Sequence, residues 1–158
     1  AGTVDLSLGF GIGANKIIDE KPLPEQLEGI MPSLFGNLAR LALEKERPRW
    51  RNTLTANYAL GRFHALVRSS SYGKFTSAQL GACDACGQTY DGKTLIDAEI
   101  GHRIGEVDLS IGARNVFDVF PEQASLDNGF GLFPWPMASP FGYNGRYLYV
   151  RAGVFFGR

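Results

Sequence analysis

The sequence has no run of about eighteen apolar residues, so it offers no candidate for a transmembrane helix. It also lacks an N-terminal basic region followed by an apolar segment, so no signal peptide is recognised. Neither absence excludes a membrane protein, because a spanning β-strand alternates lipid-facing and lumen-facing residues and gives no continuous hydropathy peak. The chain begins without Met in the middle of an alternating pattern, which favours a fragment or a processed product.

An excess of charge of one sign is also missing. Lys and Arg together number 16, and Asp and Glu together number 16. A balanced chain has no global field that would attract nucleic acid or an anionic membrane surface. We therefore expect no nucleic acid among its partners.

Methionine and cysteine are scarce, with two residues of each, whereas the chain has 20 Gly and 8 Pro. This composition favours strands and turns over helices. The resulting expectation is an all-β fold.

Six segments alternate apolar and polar residues with a period of two, which predicts strands with one apolar face. The clearest segment places Val107, Leu109 and Ile111 on one face and Asp108 and Ser110 on the other. Because a slip of one residue would exchange the two faces, the pattern also predicts the register. The predicted strands form an antiparallel meander of residues 1–14, 48–60, 62–75, 93–104, 106–116 and 145–156.

Short and long connections alternate between these segments. The short turns are centred on Gly61 and Gly105, and the long loops are residues 15–48, 76–92 and 117–144. Short turns at one end and long loops at the other are typical of outer-membrane β-barrels, whereas compact soluble domains seldom carry three long loops. The first long loop contains a predicted helix, Ser33 to Glu46, with Ser33 as its N-cap.

Three stretches resemble one known family. Residues 47–54, RPRWRNTL, are similar to a late barrel hairpin of TonB-dependent receptors. Residues 112–121, GARNVFDVFP, are similar to a motif near the end of the penultimate strand of these receptors. Residues 139–151 are similar to their last loop and last strand. A terminal aromatic residue is also typical of the family, although Gly157 and Arg158 follow it here. The residues that carry these similarities are Asn115, Phe117, Asp118, Pro140, Phe141, Gly142, Asn144, Gly145 and Phe156.

The resemblance implies that residues 1–158 are the C-terminal part of a large transmembrane β-barrel in the bacterial outer membrane. Such transporters have about 22 strands and a plugged lumen. Long loops would be extracellular, short turns periplasmic, and the plug and the segment that contacts TonB would lie in an N-terminal part. The partners implied are membrane lipid, the plug and remaining strands, TonB, and an imported ligand such as a siderophore, cobalamin or glycan. Neither a cofactor nor enzymatic chemistry is implied.

Cys83 and Cys86 have the spacing of redox and zinc sites, but a second pair and a βαβ setting are both missing. In an exported loop of the implied receptor, a local disulfide between them is the favoured interpretation, because that compartment is oxidising.

The last long loop is rich in aromatic residues, for which two interpretations stay open. The rings could pack on one another and on the barrel rim as an interfacial girdle, or they could form part of an extracellular ligand platform. The candidate ligand-contacting residues are Phe130, Phe133, Trp135 and Tyr143.

Charged residues alternate along the polar faces of the later strands. Cross-strand pairing is the favoured interpretation and a substrate path the alternative. His64 and His102 have no serine and acid at recognisable spacing, so a catalytic triad is not predicted. The charged residues in question are Asp97, Glu99, Arg103, Asp108, Arg114 and Arg151.

Two other functions share parts of this pattern. An outer-membrane porin or enzyme barrel would need an unplugged channel or a catalytic set. A soluble β-sandwich or lipocalin-like binding module would instead bury the apolar faces inside the protein.

Overall fold

The structure is a computed structural model that describes residues 2–27, 36–78, 87–125 and 133–156. These residues form a six-stranded antiparallel sheet, a two-stranded antiparallel sheet and one short α-helix, α1. The strands are β1 Thr3–Ile12, β2 Trp50–Leu60, β3 Phe63–Tyr72, β4 Phe75–Ala78, β5 Gly87–Tyr90, β6 Thr94–Ile104, β7 Val107–Arg114 and β8 Tyr147–Val154. The helix is Asn37–Lys45, and a 3-10 turn occupies Glu25–Leu27.

The main sheet is a meander with the strand order β1-β2-β3-β6-β7-β8. This confirms the predicted antiparallel pairing of the six alternating segments. Gly61 and Gly105 open the two-residue turns β2–β3 and β6–β7 with positive φ angles of 59° and 63°, a conformation that hairpin turns demand and that glycine adopts without steric cost. Within the described residues the sheet is open, since β1 and β8 each pair with a single neighbour, and the barrel stays a prediction.

One face of the main sheet is apolar and exposed from β1 to β8. The register aligns Ala65 with Ile100, Ile100 with Ile111 and Ile111 with Val150, so that apolar residues of successive strands share one face as predicted. Leu8 is 73% exposed and Val150 is 75% exposed. None of the described residues covers this face.

The opposite face is polar, and two glycines let aromatic side chains lie flat on it. A Cβ at Gly112 would stand 2.5 Å from the ring of Tyr149, and one at Gly101 would overlap the ring of His64. These glycines therefore serve as cradles for the side chains of neighbouring strands, which is a common use of glycine inside a sheet.

The hairpin of β4 and β5 is an element that the sequence pattern did not predict. The third predicted strand extended to residue 75, but β3 ends at Tyr72 and a separate strand starts at Phe75. Phe75 stacks on Tyr90 with ring centroids 5.2 Å apart, and both side chains are buried. Leu41 of α1 packs against Gly87 of β5, which holds the helix on the hairpin. The buried hydrophobic residues Phe75 and Tyr90 thus belong to this hairpin and not to the main sheet.

The predicted loop helix is confirmed with a later start. It begins at Asn37, and Gly36 occupies the N-cap position without a side-chain hydrogen bond. Ser33, the predicted cap, lies outside the described residues. In the part of the chain that the structure describes, the helices are too short and too polar to cross a bilayer.

Candidate functional site

The β7–β8 loop starts with a turn that Asn115 builds. Its backbone has a positive φ of 50°, and its side chain is buried. The side-chain amide donates to the carbonyl of Val119 at 2.8 Å and accepts the Val119 N–H at 2.9 Å. The backbone N–H of Asn115 donates to the Asp97 carboxylate at 2.9 Å. Asparagine suits this position because it tolerates the left-handed region and bonds the local backbone.

Asp118 joins the beginning of this loop to its end. Its φ is 57°, and its carboxylate accepts the backbone N–H of Arg146 at 2.7 Å. Gly145 lies between this carboxylate and the ring of Phe120, since a Cβ there would stand 2.8 Å from Asp118 Oδ1 and 2.6 Å from Phe120 Cζ. The two arms of the loop are thus fastened together where they leave the sheet.

The other residues of the family resemblance have less uniform surroundings. Phe141 packs on Tyr72 and Phe75, with centroid distances of 5.6 and 6.3 Å. Gly142 has a positive φ of 73°. Pro140 lines a cleft described below, whereas Phe117, Asn144 and Phe156 are exposed. Several of these motif residues therefore have a structural task in the turn, and Phe156 has little packing within the chain.

The aromatic residues of the last loop contact other rings of the same region. Trp135 stacks on Phe120 at 5.3 Å, and Phe133 meets Tyr143 edge to face at 4.7 Å. Phe130 lies outside the described residues. Packing between rings thus accounts for some of the aromatic residues of this loop. Ligand contact at Phe133, Trp135 and Tyr143 stays a prediction.

A cleft of about 470 Å³ opens where the polar face of the sheet meets α1. Its floor is formed by glycines of the β1 end, and its walls by α1, the start of β2, Tyr72 and Pro140. A second cleft of about 540 Å³ adjoins it and shares Leu43, Arg47 and Pro48. Each volume lies within the range of small-molecule sites, although both clefts are open to solvent.

Three arginines line the first cleft, namely Arg47, Arg49 and Arg51. The one acidic residue in its wall, Glu44, uses its carboxylate to accept the Ile17 N–H at 2.9 Å. Among the described residues, none of the three guanidinium groups has a hydrogen-bond or ion-pair acceptor. The cleft is therefore electropositive.

The polar face carries a hydrogen-bonded chain nearer the short turns. His64 Nε2 lies 3.3 Å from Ser110 Oγ, and His64 Nδ1 lies 3.6 Å from the Asp108 carboxylate. The Ser110 hydroxyl is 3.3 Å from the other oxygen of Asp108. These residue types can form a nucleophilic triad, which the sequence spacing did not predict.

The arrangement of His64, Ser110 and Asp108 lacks two features that an acyl-transfer site requires, namely an accessible nucleophile and an oxyanion hole. Ser110 is only 3% exposed, because the His64 ring lies over Gly101 and against its hydroxyl. A substrate carbonyl cannot reach Oγ in this arrangement. The neighbouring backbone N–H groups belong to strand pairing, so they do not form an oxyanion hole. The arrangement instead joins β3 to β7 across the polar face.

Glu99 connects three strands on the same face. It ion-pairs with Arg151 and accepts a 2.7 Å hydrogen bond from the Tyr149 hydroxyl. Gly112 of the intervening strand aligns with both Glu99 and Tyr149. The carboxylate is buried, so these partners are needed to offset its desolvation. The prediction of cross-strand pairing is confirmed for this pair of charges.

Comparisons of the chain with protein-family models, with curated proteins and with solved structures give the same result. None of them finds a match. The resemblance to TonB-dependent receptors accordingly stays a prediction that depends on the motifs themselves.

Neither cysteine of the predicted disulfide, Cys83 or Cys86, lies within the described residues. Among the side chains that the structure describes, no group of three or more His, Cys, Asp or Glu is placed to hold a metal ion. The arginine cleft is the candidate site that sequence reasoning missed. The signal was present as arginine at every second position from 47 to 51.

Proposed function

We propose that the chain is the C-terminal part of the β-barrel of a TonB-dependent receptor, which imports a scarce ligand such as a siderophore, cobalamin or glycan across the bacterial outer membrane. The single observation that supports this most is the continuous apolar face of the meander. Each large aliphatic side chain left in water instead of an apolar medium costs about 1.5–3 kcal/mol. Such a face on six strands needs an apolar environment, and lipid supplies one.

The opposite face supports a wet lumen. It carries the Glu99–Arg151 ion pair and the chain of His64, Ser110 and Asp108, which would be costly to bury without water or partners. A membrane barrel with a polar interior combines these two faces. A soluble sandwich would need a second layer of protein against the apolar face.

The two ends of the sheet differ in the way that outer-membrane barrels differ. The two-residue turns at Gly61 and Gly105 lie at one end, and α1, the β4–β5 hairpin and the β7–β8 loop lie at the other. In the proposed receptor the loop end is extracellular and the turn end periplasmic. The unpaired edges of β1 and β8 would bond the remaining strands of the barrel, which removes open edges from the bilayer.

Cell fractionation of the full-length protein tests the membrane part of the proposal. Expressed in a Gram-negative host, it is expected in the outer membrane, extracted by detergent alone, and heat-modifiable on gel electrophoresis as folded barrels are. Recovery of the full-length protein as a soluble monomer without detergent would support the β-sandwich or lipocalin alternative and overturn the proposal.

Dependence on TonB tests the transport part. Uptake of the receptor's ligand should stop in a host that lacks TonB and in cells whose proton-motive force is dissipated. A porin with the same strands would continue to pass its solutes in both cases, so continued uptake would favour that alternative.

A further inference from the structure

The arginine cleft lies at the mouth of the proposed lumen. Arg51 lies on the polar face of β2, because it aligns with Gly11 of β1 and Tyr72 of β3. Arg49 directly precedes this strand, where its carbonyl accepts the Gly13 N–H. Arg47 approaches from the end of the loop that carries α1. Three cations from one short segment therefore converge on a single cavity.

Three other arginines of the polar face have acceptors, whereas Arg114, exposed on the polar face of β7, has none among the described residues. Arg151 pairs with Glu99, Arg68 donates to Thr55 Oγ1 at 3.4 Å, and Arg103 donates to the Gly105 carbonyl at 3.1 Å. Of these three, Arg151 is the one that pairs with an opposite charge. The cleft arginines are without acceptors in the described part of the chain, which leaves their donors available to a ligand.

Two of the residues that line the cleft beside the arginines are glycines and add no side chain to it. They are Gly11, near the end of β1, and Gly13, directly after this strand. A Cβ at Gly11 would only touch the Arg51 side chain at 3.5 Å, and one at Gly13 would meet nothing within 4 Å. Pro140 and Leu43 add apolar surface at the rim.

We infer that this cleft binds an anionic group of the imported ligand, with Arg47, Arg49 and Arg51 as its partners. This rests on the proposed import function and narrows its substrate class to small molecules that carry at least two carboxylate, phosphate or similar oxyanion groups. Guanidinium groups suit these ligands because their planar forks bond oxyanions bidentately. A neutral glycan or a neutral cobalamin makes no use of the three charges.

Calorimetric binding to the detergent-solubilised full-length protein tests the inference. The probes are citrate and pyrophosphate, with maltotriose as a neutral probe. The variant is Arg49→Gln with Arg51→Gln. The matched control is Arg62→Gln, which removes an exposed arginine in the short turn at the opposite end of the same hairpin. Arg51→Lys keeps the charge and removes the fork.

The wild-type protein is expected to bind at least one of the two anions and not maltotriose. The double variant should lose about tenfold or more in affinity, as expected for lost charged hydrogen bonds. Arg51→Lys should fall in between, and Arg62→Gln should match the wild type. Heat-modifiability of each variant verifies that it is folded.

The results separate this inference from the proposed function. No binding of either anion, or equal weakening by Arg62→Gln and the double variant, would overturn the anion site while outer-membrane fractionation left the receptor proposal standing. A soluble full-length protein would overturn the receptor proposal whatever the binding data show.

Discussion

The hydroxyl of Tyr149 on β8 donates a 2.7 Å hydrogen bond to Glu99 on β6, although β7 lies between the two strands. The residue of β7 that aligns with both is Gly112. A side chain at this position would block the contact. The pairing of two polar groups thus depends on the absence of a third side chain.

Gly112→Ala should therefore destabilise the protein by about 1–3 kcal/mol, the usual cost of an added group in a packed site. Its Cβ would stand 2.5 Å from the Tyr149 ring. Gly153→Ala is the matched control on the same face, because a Cβ there meets nothing within 4 Å. Equal midpoints for the two variants in urea unfolding would contradict the cradle.

Val150→Arg tests which face meets lipid. Val150 is 75% exposed on the apolar face, and an arginine near the middle of a lipid-facing strand costs about 2–4 kcal/mol. Tyr147→Arg is the control, since Tyr147 is exposed on the polar face of the same strand. Folding equilibria in lipid vesicles measure both. A silent Val150→Arg would sink the assignment of this face to lipid.

Asn115→Ala should loosen the β7–β8 loop. The change removes both side-chain hydrogen bonds to Val119. It also places alanine at a positive φ, a conformation that asparagine tolerates better than alanine does. We expect a loss of about 2–3 kcal/mol and faster proteolysis of the loop. Asn144→Ala is the control, because Asn144 is exposed and has no hydrogen bond within the described residues. Similar proteolysis of the two variants would refute the role of Asn115.

The pair of Lys74 and Asp91 should respond to pH. Its 2.8 Å hydrogen bond lowers the pKa of the Asp91 carboxyl and raises the pKa of Lys74. Because the Asp91 pKa falls on folding, its contribution is present above the ordinary value of 3.8 and is lost as the pH drops through the lowered pKa. Because the Lys74 pKa rises, its contribution is complete below 10.5 and is lost at higher pH.

Carbon NMR of the Asp91 carboxyl measures this effect. Its titration midpoint should lie below 3.8 in the wild type and rise toward that value in Lys74→Gln. Lys45→Gln, which changes an exposed residue of α1, should leave it alone. The pair is exposed, so we expect little change in global stability. An Asp91 titration midpoint that is the same in the wild type and in Lys74→Gln would rule out the interaction between the two side chains.

If the chain belongs to the proposed receptor, Phe156→Ala should lower the amount of folded protein in the outer membrane without changing ligand affinity per folded molecule. Phe156 is 92% exposed, so its removal costs little packing within the chain, whereas the family resemblance gives a terminal aromatic a role in assembly. Phe117→Ala removes another phenylalanine, 71% exposed, as a control. Equal abundance of the two variants would remove this role from Phe156.

Local patterns were sufficient to predict the main sheet. Alternation along β7 assigned Leu109 and Asp108 to opposite faces, and turn glycines placed the short connections, because strand period and hairpin geometry depend on neighbouring residues. The β4–β5 hairpin escaped prediction because its stability comes from Phe75 on Tyr90 and from Leu41 on Gly87. These are contacts between short segments without alternation.

The polar networks could not be predicted for a related reason. His64 and Ser110 are 46 positions apart, and their contact follows from the register of three strands and from the missing side chain at Gly101. The same holds for the arginine cleft, whose walls come from β1, β2 and α1. The alternation in the sequence predicted which face of the sheet each residue lies on. The contacts between residues of different strands could be identified only from the strand pairing in the structure.

Four residues near the two ends of the β7–β8 loop have a left-handed backbone conformation with positive φ. They are Asn115, Asp118, Gly142 and Gly145. Few amino acids tolerate that region, so substitutions at these four positions are restricted by stereochemistry. The described residues between them carry no such restriction. Where those residues are exposed and do not pack on other rings, mutations can accumulate while the loop still leaves and rejoins the sheet at the same points, so the exposed surface of the loop can diversify.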